Sequence, residues 1–374
     1  MASCILYQNS GSTIILIDIP RSIELAQGDF SYRLLSSKPI EHPFASVEPK
    51  SQKARANLGT ASLEELLLQK HIQLSLDQLR SEWKGEWCLP RHVKCEVEEC
   101  ESERAVPGTK RKRREQQQQN SDSQALAEEA RGSEGILFTD STTKPATIST
   151  GKEHTSVRMP ANSTTLCGDI TSTSHIFLSH APKFDIIILD PPWPNRSARR
   201  KKSYGISYGT HEIRSLLSSL PLANHIAEEA LVGVWVTNKP AFREMVLGEN
   251  GLFEKWGVQL IEEWIWLKVT SSGELISELS SMWRKPYEIL LVGKKGVFTS
   301  PDVKRRVLVG VPDLHSRKPN LKSVFEEVMK KEKYEALEVF ARNLTAGWWG
   351  WGNEVLKFQS DEYWIEGIDT HDNP

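Results

Sequence analysis

The chain has 374 residues, enough for two domains or one large domain with appendages, and for a sizeable hydrophobic core. Its 47 Lys and Arg nearly balance 49 Asp and Glu, and the net charge of −2 excludes a global positive field, so any nucleic-acid site must be a local patch. Apolar runs such as Ile186–Leu189 fall far short of the roughly 18 residues of a membrane span, and no basic residue precedes Arg21, so neither a membrane span nor a secretory signal is expected.

The first apolar runs, Ser3–Gln8 and Thr13–Asp18, flank Asn9, Ser10 and Gly11 and predict a hairpin. Leu63, Leu66, Leu67, Ile72, Leu76 and Leu79 recur at helical spacing over Ser62–Trp83, with Ser62 as N-cap and Glu65 at the capping-box position. Residues 1–100 are therefore expected to form a small α+β domain. The five cysteines are odd in number and sparse, which argues for reduced thiols; Cys88, Cys95 and Cys100 beside His92 match no common zinc spacing, so no metal is expected.

Residues 101–159 turn polar, with the basic run Lys110–Arg114 followed by glutamines and many Ser, Thr and Gly. Such a composition buries too little apolar area to offset its ordering entropy, and a disordered linker is expected. The basic run reads as a nuclear localisation signal, a nucleic-acid-binding tail or a solvated charge block. Nuclear residence is expected, with the cytosol as the alternative.

From residue 160 to 374 the pattern alternates. Lys183–Leu189 is a continuous apolar run ending at Asp190, as for a strand buried on both faces of a parallel sheet. His211–Ala230 reads as a helix capped by Thr210, Leu231–Thr237 as a strand, Pro240–Lys255 as a helix, and Val258–Lys268 as a longer strand. Tyr287–Gly293, Leu321–Lys331 and Leu337–Ala341 continue the alternation. The fold class is α/β, with a mostly parallel twisted sheet.

The sharpest motif is Asp190-Pro191-Pro192-Trp193, directly after the buried strand, where open α/β sheets bind ligands. It suits methylation of an exocyclic amine on a nucleobase. That nitrogen is conjugated with its ring and is a poor nucleophile until its N–H bonds are drawn out of plane. The Asp190 carboxylate can accept one N–H and the Pro191 carbonyl the other, because two prolines fix the turn, while Trp193 can stack on the base. Positive charge grows on the attacking nitrogen, so a fixed carboxylate stabilises the transition state above the ground state.

These residues resemble the DPPW-type adenine-N(6) methyltransferases, the mRNA methyltransferase family, and within it most closely the methyltransferase-like protein 4 subgroup, over about residues 160–358. The resemblance implies a Rossmann-like domain binding S-adenosylmethionine. Cys167-Gly168-Asp169-Ile170 is similar to the stretch that reads the cofactor adenine, which implies roles for Asp169 and Ile170. Tyr208-Gly209-Thr210 resembles the segment after the catalytic loop, with Tyr208 near the target base. Trp235–Asn238 and Trp264–Lys268 resemble the next two strand ends, with Asn238 and Lys268 as site residues and the tryptophans as core or wall. By the same resemblance Lys318 of Lys318-Pro319 meets the methionine carboxylate, while Arg342 and Asn353 reach the ribose hydroxyls. Asp190 also borders the cofactor, and Glu354, where the mRNA enzyme has an amide, is a ribose candidate.

Arg196, Arg199, Arg200, Lys201 and Lys202 follow the tetrapeptide beside Tyr204 and Tyr208, a composition for phosphate attraction and base stacking or for a solvated loop; Lys304, Arg305 and Arg306 are expected to extend the patch. The expected substrate is a single-stranded or flipped adenine in RNA, and the subgroup resemblance implies 2′-O-methyladenosine in a U2-type small nuclear RNA. Adenine-N(6) methylation of DNA and an inactive RNA-binding scaffold are the alternatives. A monomer is expected, with the N-terminal domain replacing a partner subunit.

Overall fold

The computed structural model describes residues 3–45, 61–93, 135–139, 146–150, 155–194, 209–281, 284–296 and 302–367. Its centre is an eleven-stranded sheet. Eight of its strands share one direction: β2 (Ile14–Ile17), β8 (Thr164–Cys167), β9 (Phe184–Leu189), β10 (Ile226–Val236), β11 (Val258–Lys268), β13 (Lys304–Gly310), β14 (Ala336–Val339) and β15 (Trp349–Gly352). Three run against them: β1 (Ile5–Gln8), β5 (Ile136–Thr139) and β12 (Tyr287–Lys295). The order across the sheet is β1-β2-β13-β11-β12-β10-β9-β14-β15-β8-β5.

Burial on both faces follows from the apolar runs. In β9, Ile187 and Leu189 enter one core and Ile186 and Ile188 the other, the two-residue period of a strand. The first core is covered by α2 (Leu63–Glu82), α3 (Ile170–His180), α4 (Thr210–Ser219), α5 (Pro240–Leu247) and α6 (Leu252–Trp256). The second lies beneath α1 (Ile19–Ala26) and α7 (Lys322–Met329). The result is the expected α/β architecture.

The first hundred residues, expected to fold as a domain of their own, extend this sheet and core. The Asn9–Ser12 turn forms, with Asn9 Oδ1 accepting the N–H groups of Thr13 and Ile14 at 2.8 and 3.0 Å, and it carries β2 alongside β13. Ser62 caps α2 through the Glu65 N–H at 3.2 Å, and Ile72, Leu76 and Leu79 are buried. A second, three-stranded sheet joins both ends of the chain, with β3 (Tyr32–Ser36) between β4 (His92–Val93) and β16 (Trp364–Glu366).

Residues 101–159, read as linker, hold three strands among their described positions. β5 adds an edge beside β8, and β6 (Ala146–Thr150) pairs with β7 (Thr155–Met159), which buries Val157 and Met159. Edge strands need few apolar residues, so composition hides them. Lys110–Arg114 lie outside the described residues, as do Cys95 and Cys100. Two helices are also shorter than the periodicity suggests. Pro221 stops α4 just beyond Ser219, Gly209 rather than Thr210 is its N-cap, and residues 226–230 join β10. The stretch Gly248–Gly251 divides 240–255 into α5 and α6.

One contact ties α3 to β15. Trp351 is fully buried, stacks on Phe177 at 4.3 Å with an 8° interplanar angle, and donates its indole N–H to Thr173 Oγ1 at 2.8 Å. We predict that Trp351→Ala lowers the unfolding free energy by about 3–5 kcal/mol in urea titrations. Trp351→Phe, which keeps an aromatic ring but loses the bond and part of the indole's volume, should cost about 1–3 kcal/mol.

Candidate active site

Four loops leave the C-terminal ends of adjacent parallel strands β8, β15, β14 and β9, and each carries a residue singled out by the sequence: Asp169, Asn353, Arg342 and Asp190. With strands about 4.8 Å apart these positions line an edge about 15 Å long. The chain reaches β14 by a crossover from the far half of the sheet, so the β9–β14 boundary is the topological switch where open sheets bind ligands. A cleft opens there, lined by Asp190, Trp235, Lys318, Glu338, Phe340 and Arg342 among others.

Asp190 sits between two cations, with Lys318 Nζ 3.3 Å from Oδ1 and Arg342 Nη1 3.5 Å from Oδ2. The charges continue outward on both sides. Lys318 also meets Glu288 at 2.8 Å, and Glu288 holds Lys268; Arg342 meets Glu354 at 3.0 Å, and Glu354 holds Lys357 at 3.1 Å. Burial disfavours the Glu288 carboxylate, but Lys318 and Lys268 outweigh it and hold its pKa well below the usual range. Burial likewise works against the Lys318 ammonium, yet Asp190 and Glu288 raise its pKa above that of an ordinary lysine. Glu354 is also held low, where Lys357 and Arg342 overcome desolvation. Glu338 is the exception: burial, and then Asp190, push its carboxyl up to about 8.

The tetrapeptide is fixed from the sheet. Trp193 is buried, donates its indole N–H to the Trp235 carbonyl at 2.7 Å and stacks on Phe242 at 4.6 Å, so one ring face and its only donor are committed to the wall. The Pro191 carbonyl accepts the Trp193 N–H at 2.8 Å, which leaves its second lone pair for another donor. Pro192 is half-buried. Asp169 caps α3, with Oδ1 accepting from Thr171 and Ser172 at 2.9 and 3.2 Å, and Ile170 is buried as the first residue of that helix. Asn353 follows Gly352, whose φ of +152° brings its Cα so close to Phe340 that an added Cβ would sit 3.2 Å from the Phe340 Cα.

Asn238 and Lys268 lie at the ends of β10 and β11 as expected. Asn238 donates to the Tyr287 carbonyl at 2.9 Å, and Lys268 sits 4.4 Å over the Trp266 ring while pairing with Glu288. Trp235, Trp264 and Trp266 are core or wall, each nearly buried. Arg196, Arg199, Arg200, Lys201, Lys202 and Tyr208 lie outside the described residues. The extension of their patch through β13 does not hold for two residues: Arg305 pairs with Glu263 at 2.9 Å, and Arg306, buried, pairs with Glu262 at 3.2 Å.

Two site carboxylates escaped the sequence reading. Glu288 is the second residue of β12, and because β12 is antiparallel its first residues lie beside the last residues of β10 and β11. The signal was a single charge at the head of an apolar run. Glu338 is embedded in β14 and reads as an ordinary strand residue until the cleft is seen.

Residues 184–354 match the MT-A70 family model. The N6-methyladenosine RNA methyltransferase MTA1 of Cryphonectria parasitica is 39% identical over 98% of this chain and 95% of its own length. The protein of the same name from Pyricularia oryzae is 35% identical over 98% and 97%. The N(6)-adenine-specific methyltransferase METTL4 of Mus musculus is 36% identical over 55% of this chain and 45% of its own. With likeness running nearly end to end in two relatives and the family model spanning the strands that build the cleft, the chain belongs to the MT-A70 methyltransferase family.

Proposed function

We propose that this protein transfers a methyl group from S-adenosylmethionine to N6 of adenine in RNA. The observation that carries the reading is Asp190, held by Lys318 and Arg342 at the mouth of the cleft and followed by the fixed Pro191-Pro192-Trp193 turn. The two relatives that match nearly end to end are both named as RNA methyltransferases, which supports RNA as the substrate.

The residues fit the cofactor. The edge about 15 Å long suits a nucleoside with an amino-acid tail. Asp169 and Ile170 at the β8 end suit the adenine, Asn353 and Glu354 after β15 the ribose diol, and Lys318 with Asp190 the zwitterionic methionine. When bound, S-adenosylmethionine supplies an electrophilic methyl group on a sulfonium. The protein's own part is to orient the acceptor amine and accept its N–H bonds at Asp190 Oδ and the Pro191 carbonyl. The Asp190 charge then faces the nitrogen as it becomes cationic. Lys318 and Arg342 hold the Asp190 carboxylate in place from either side, so little reorganisation is needed during transfer.

The narrower target, 2′-O-methyladenosine in a U2-type small nuclear RNA, rests on the subgroup resemblance of the sequence motifs. Nuclear residence goes with it. Incubation with labelled S-adenosylmethionine and matched oligonucleotides carrying adenosine, 2′-O-methyladenosine or deoxyadenosine, read by nucleoside mass spectrometry, tests every level. Label on N6 of the RNA forms is expected. Their ratio decides the narrower target, label mainly in deoxyadenosine would establish the DNA reading, and cofactor binding without label would leave an RNA-binding scaffold. Asp190→Asn should lower turnover by about 10²–10³-fold with the fold intact.

The Glu338 carboxyl gives a pH prediction. With its pKa near 8 it carries its proton at neutral pH, and a ligand bringing a sulfonium and an ammonium into the cleft favours the ionised form. Binding therefore releases a proton, and affinity for S-adenosylmethionine should rise with pH until it levels off near 8. Calorimetry in buffers of different ionisation heat should detect that proton, and Glu338→Gln should abolish both effects. Arg200→Ala with Lys201→Ala should weaken RNA binding and reduce its salt slope by about 2.

A further inference from the structure

Lys318 lies in the connection between β13 and α7, and its neighbours are gripped by the opposite end of the chain. Arg317 is fully buried and points away from the cleft. Its Nη1 meets Asp313 Oδ2 at 2.5 Å and donates to the Leu35 carbonyl of β3 at 3.0 Å, and its guanidinium lies over Phe358 at 4.7 Å. Asp313 Oδ1 accepts the N–H and hydroxyl of Ser37 at 2.8 and 3.2 Å. Arg91, 3.9 Å from the same carboxylate, donates to the carbonyls of Val311 and Pro312, both at 2.8 Å. On the other side of Lys318, the Asn320 N–H donates to Ser22 Oγ of α1 at 3.0 Å.

This buried ion cluster is a poor way to gain stability. Arg91 Nε and Arg317 Nε and Nη2 are buried without hydrogen-bond partners, and buried pairs are often no better than apolar packing of equal volume. What the cluster does achieve is geometry. Successive residues of extended chain face opposite sides, and Pro319 keeps Lys318 extended, so a fixed Arg317 aims Lys318 into the cleft. Ser316, with φ at +72°, holds a left-handed conformation that an untethered loop would relax.

We propose that the N-terminal segment is a positioning element for the cofactor-carboxylate lysine. Asp313 and Arg317, clamped through Ser37, Leu35 and Arg91, set where Lys318 stands, and Ser22 fixes the loop beyond it. The proposal rests on the cofactor reading above, and its test separates the two. Dissociation constants for S-adenosylmethionine and for 5′-methylthioadenosine, which lacks the amino-acid tail, are measured by calorimetry on the full chain and on Asp313→Asn and Ser22→Ala, with melting curves as controls. RNA affinity of the same proteins is followed by fluorescence anisotropy.

Asp313→Asn should weaken S-adenosylmethionine about tenfold or more, because a small misplacement of Lys318 is costly, while 5′-methylthioadenosine and RNA binding stay within about twofold. Ser22→Ala, which removes a single acceptor from the loop, should show the same selective loss on a smaller scale and keeps the test open if Asp313→Asn does not fold. Equal losses for both nucleosides, or unchanged S-adenosylmethionine affinity in folded variants, would overturn the clamp. Failure of the wild-type chain to bind S-adenosylmethionine at all would instead overturn the cofactor reading, and the clamp with it.

Discussion

Asp190 is the fixed point of the molecule. Its carboxylate lies at the end of a strand buried on both faces, and the two cations that hold it arrive from connections more than a hundred residues downstream. Neither cation would stand there alone, since burial works against a lone ammonium or guanidinium. Each is made tolerable by a second carboxylate, Glu288 for Lys318 and Glu354 for Arg342. The charges alternate along the cleft, so each is stabilised by its neighbours and the whole row is rigid.

The strand order makes this convergence possible. After β1 and β2 at one edge and β5 at the other, the chain lays down β8 and β9, passes through β10, β11, β12 (between β10 and β11) and β13, and then returns to insert β14 and β15 between β8 and β9. Arg342 and Asn353 therefore arrive last in sequence yet sit between Asp169 and Asp190 in space. The antiparallel turn of β12 brings Glu288 to the same edge from the opposite direction. A sheet with only parallel neighbours at that position would present the last residues of β12 there, and Lys318 would lack its second carboxylate.

What the sequence disclosed follows the range of each signal. The continuous run before Asp190 and the pattern of Val258–Lys268 identify their strands because burial on both faces demands apolar residues throughout. The capping pair Ser62 and Glu65 is equally local, and α2 begins where it indicates. The strands β5, β6 and β7 were hidden because an edge strand or a small hairpin is held by backbone hydrogen bonds, which leave no mark on composition. Asp190, Lys318 and Arg342 were visible as motif residues. Their mutual distances, and the part played by Glu288 and Glu338, depend on strand order and on one reversed strand, which no window of sequence contains.

The same reasoning explains why the N-terminal segment does not behave as a separate unit. β2 pairs with β13, whose far end leads into the Lys318 connection, and β3 receives both β4 and the C-terminal strand β16. Any displacement of β2 or β3 would thus be transmitted to the loop through backbone pairing and through the buried Asp313–Arg317 pair, neither of which can stretch without exposing unpaired polar groups. A separate domain joined by a linker would leave Lys318 to its own flexible side chain. Under the proposed clamp, folding the segment into the sheet orders Lys318 before any ligand arrives, so less of the binding free energy is spent on immobilising it.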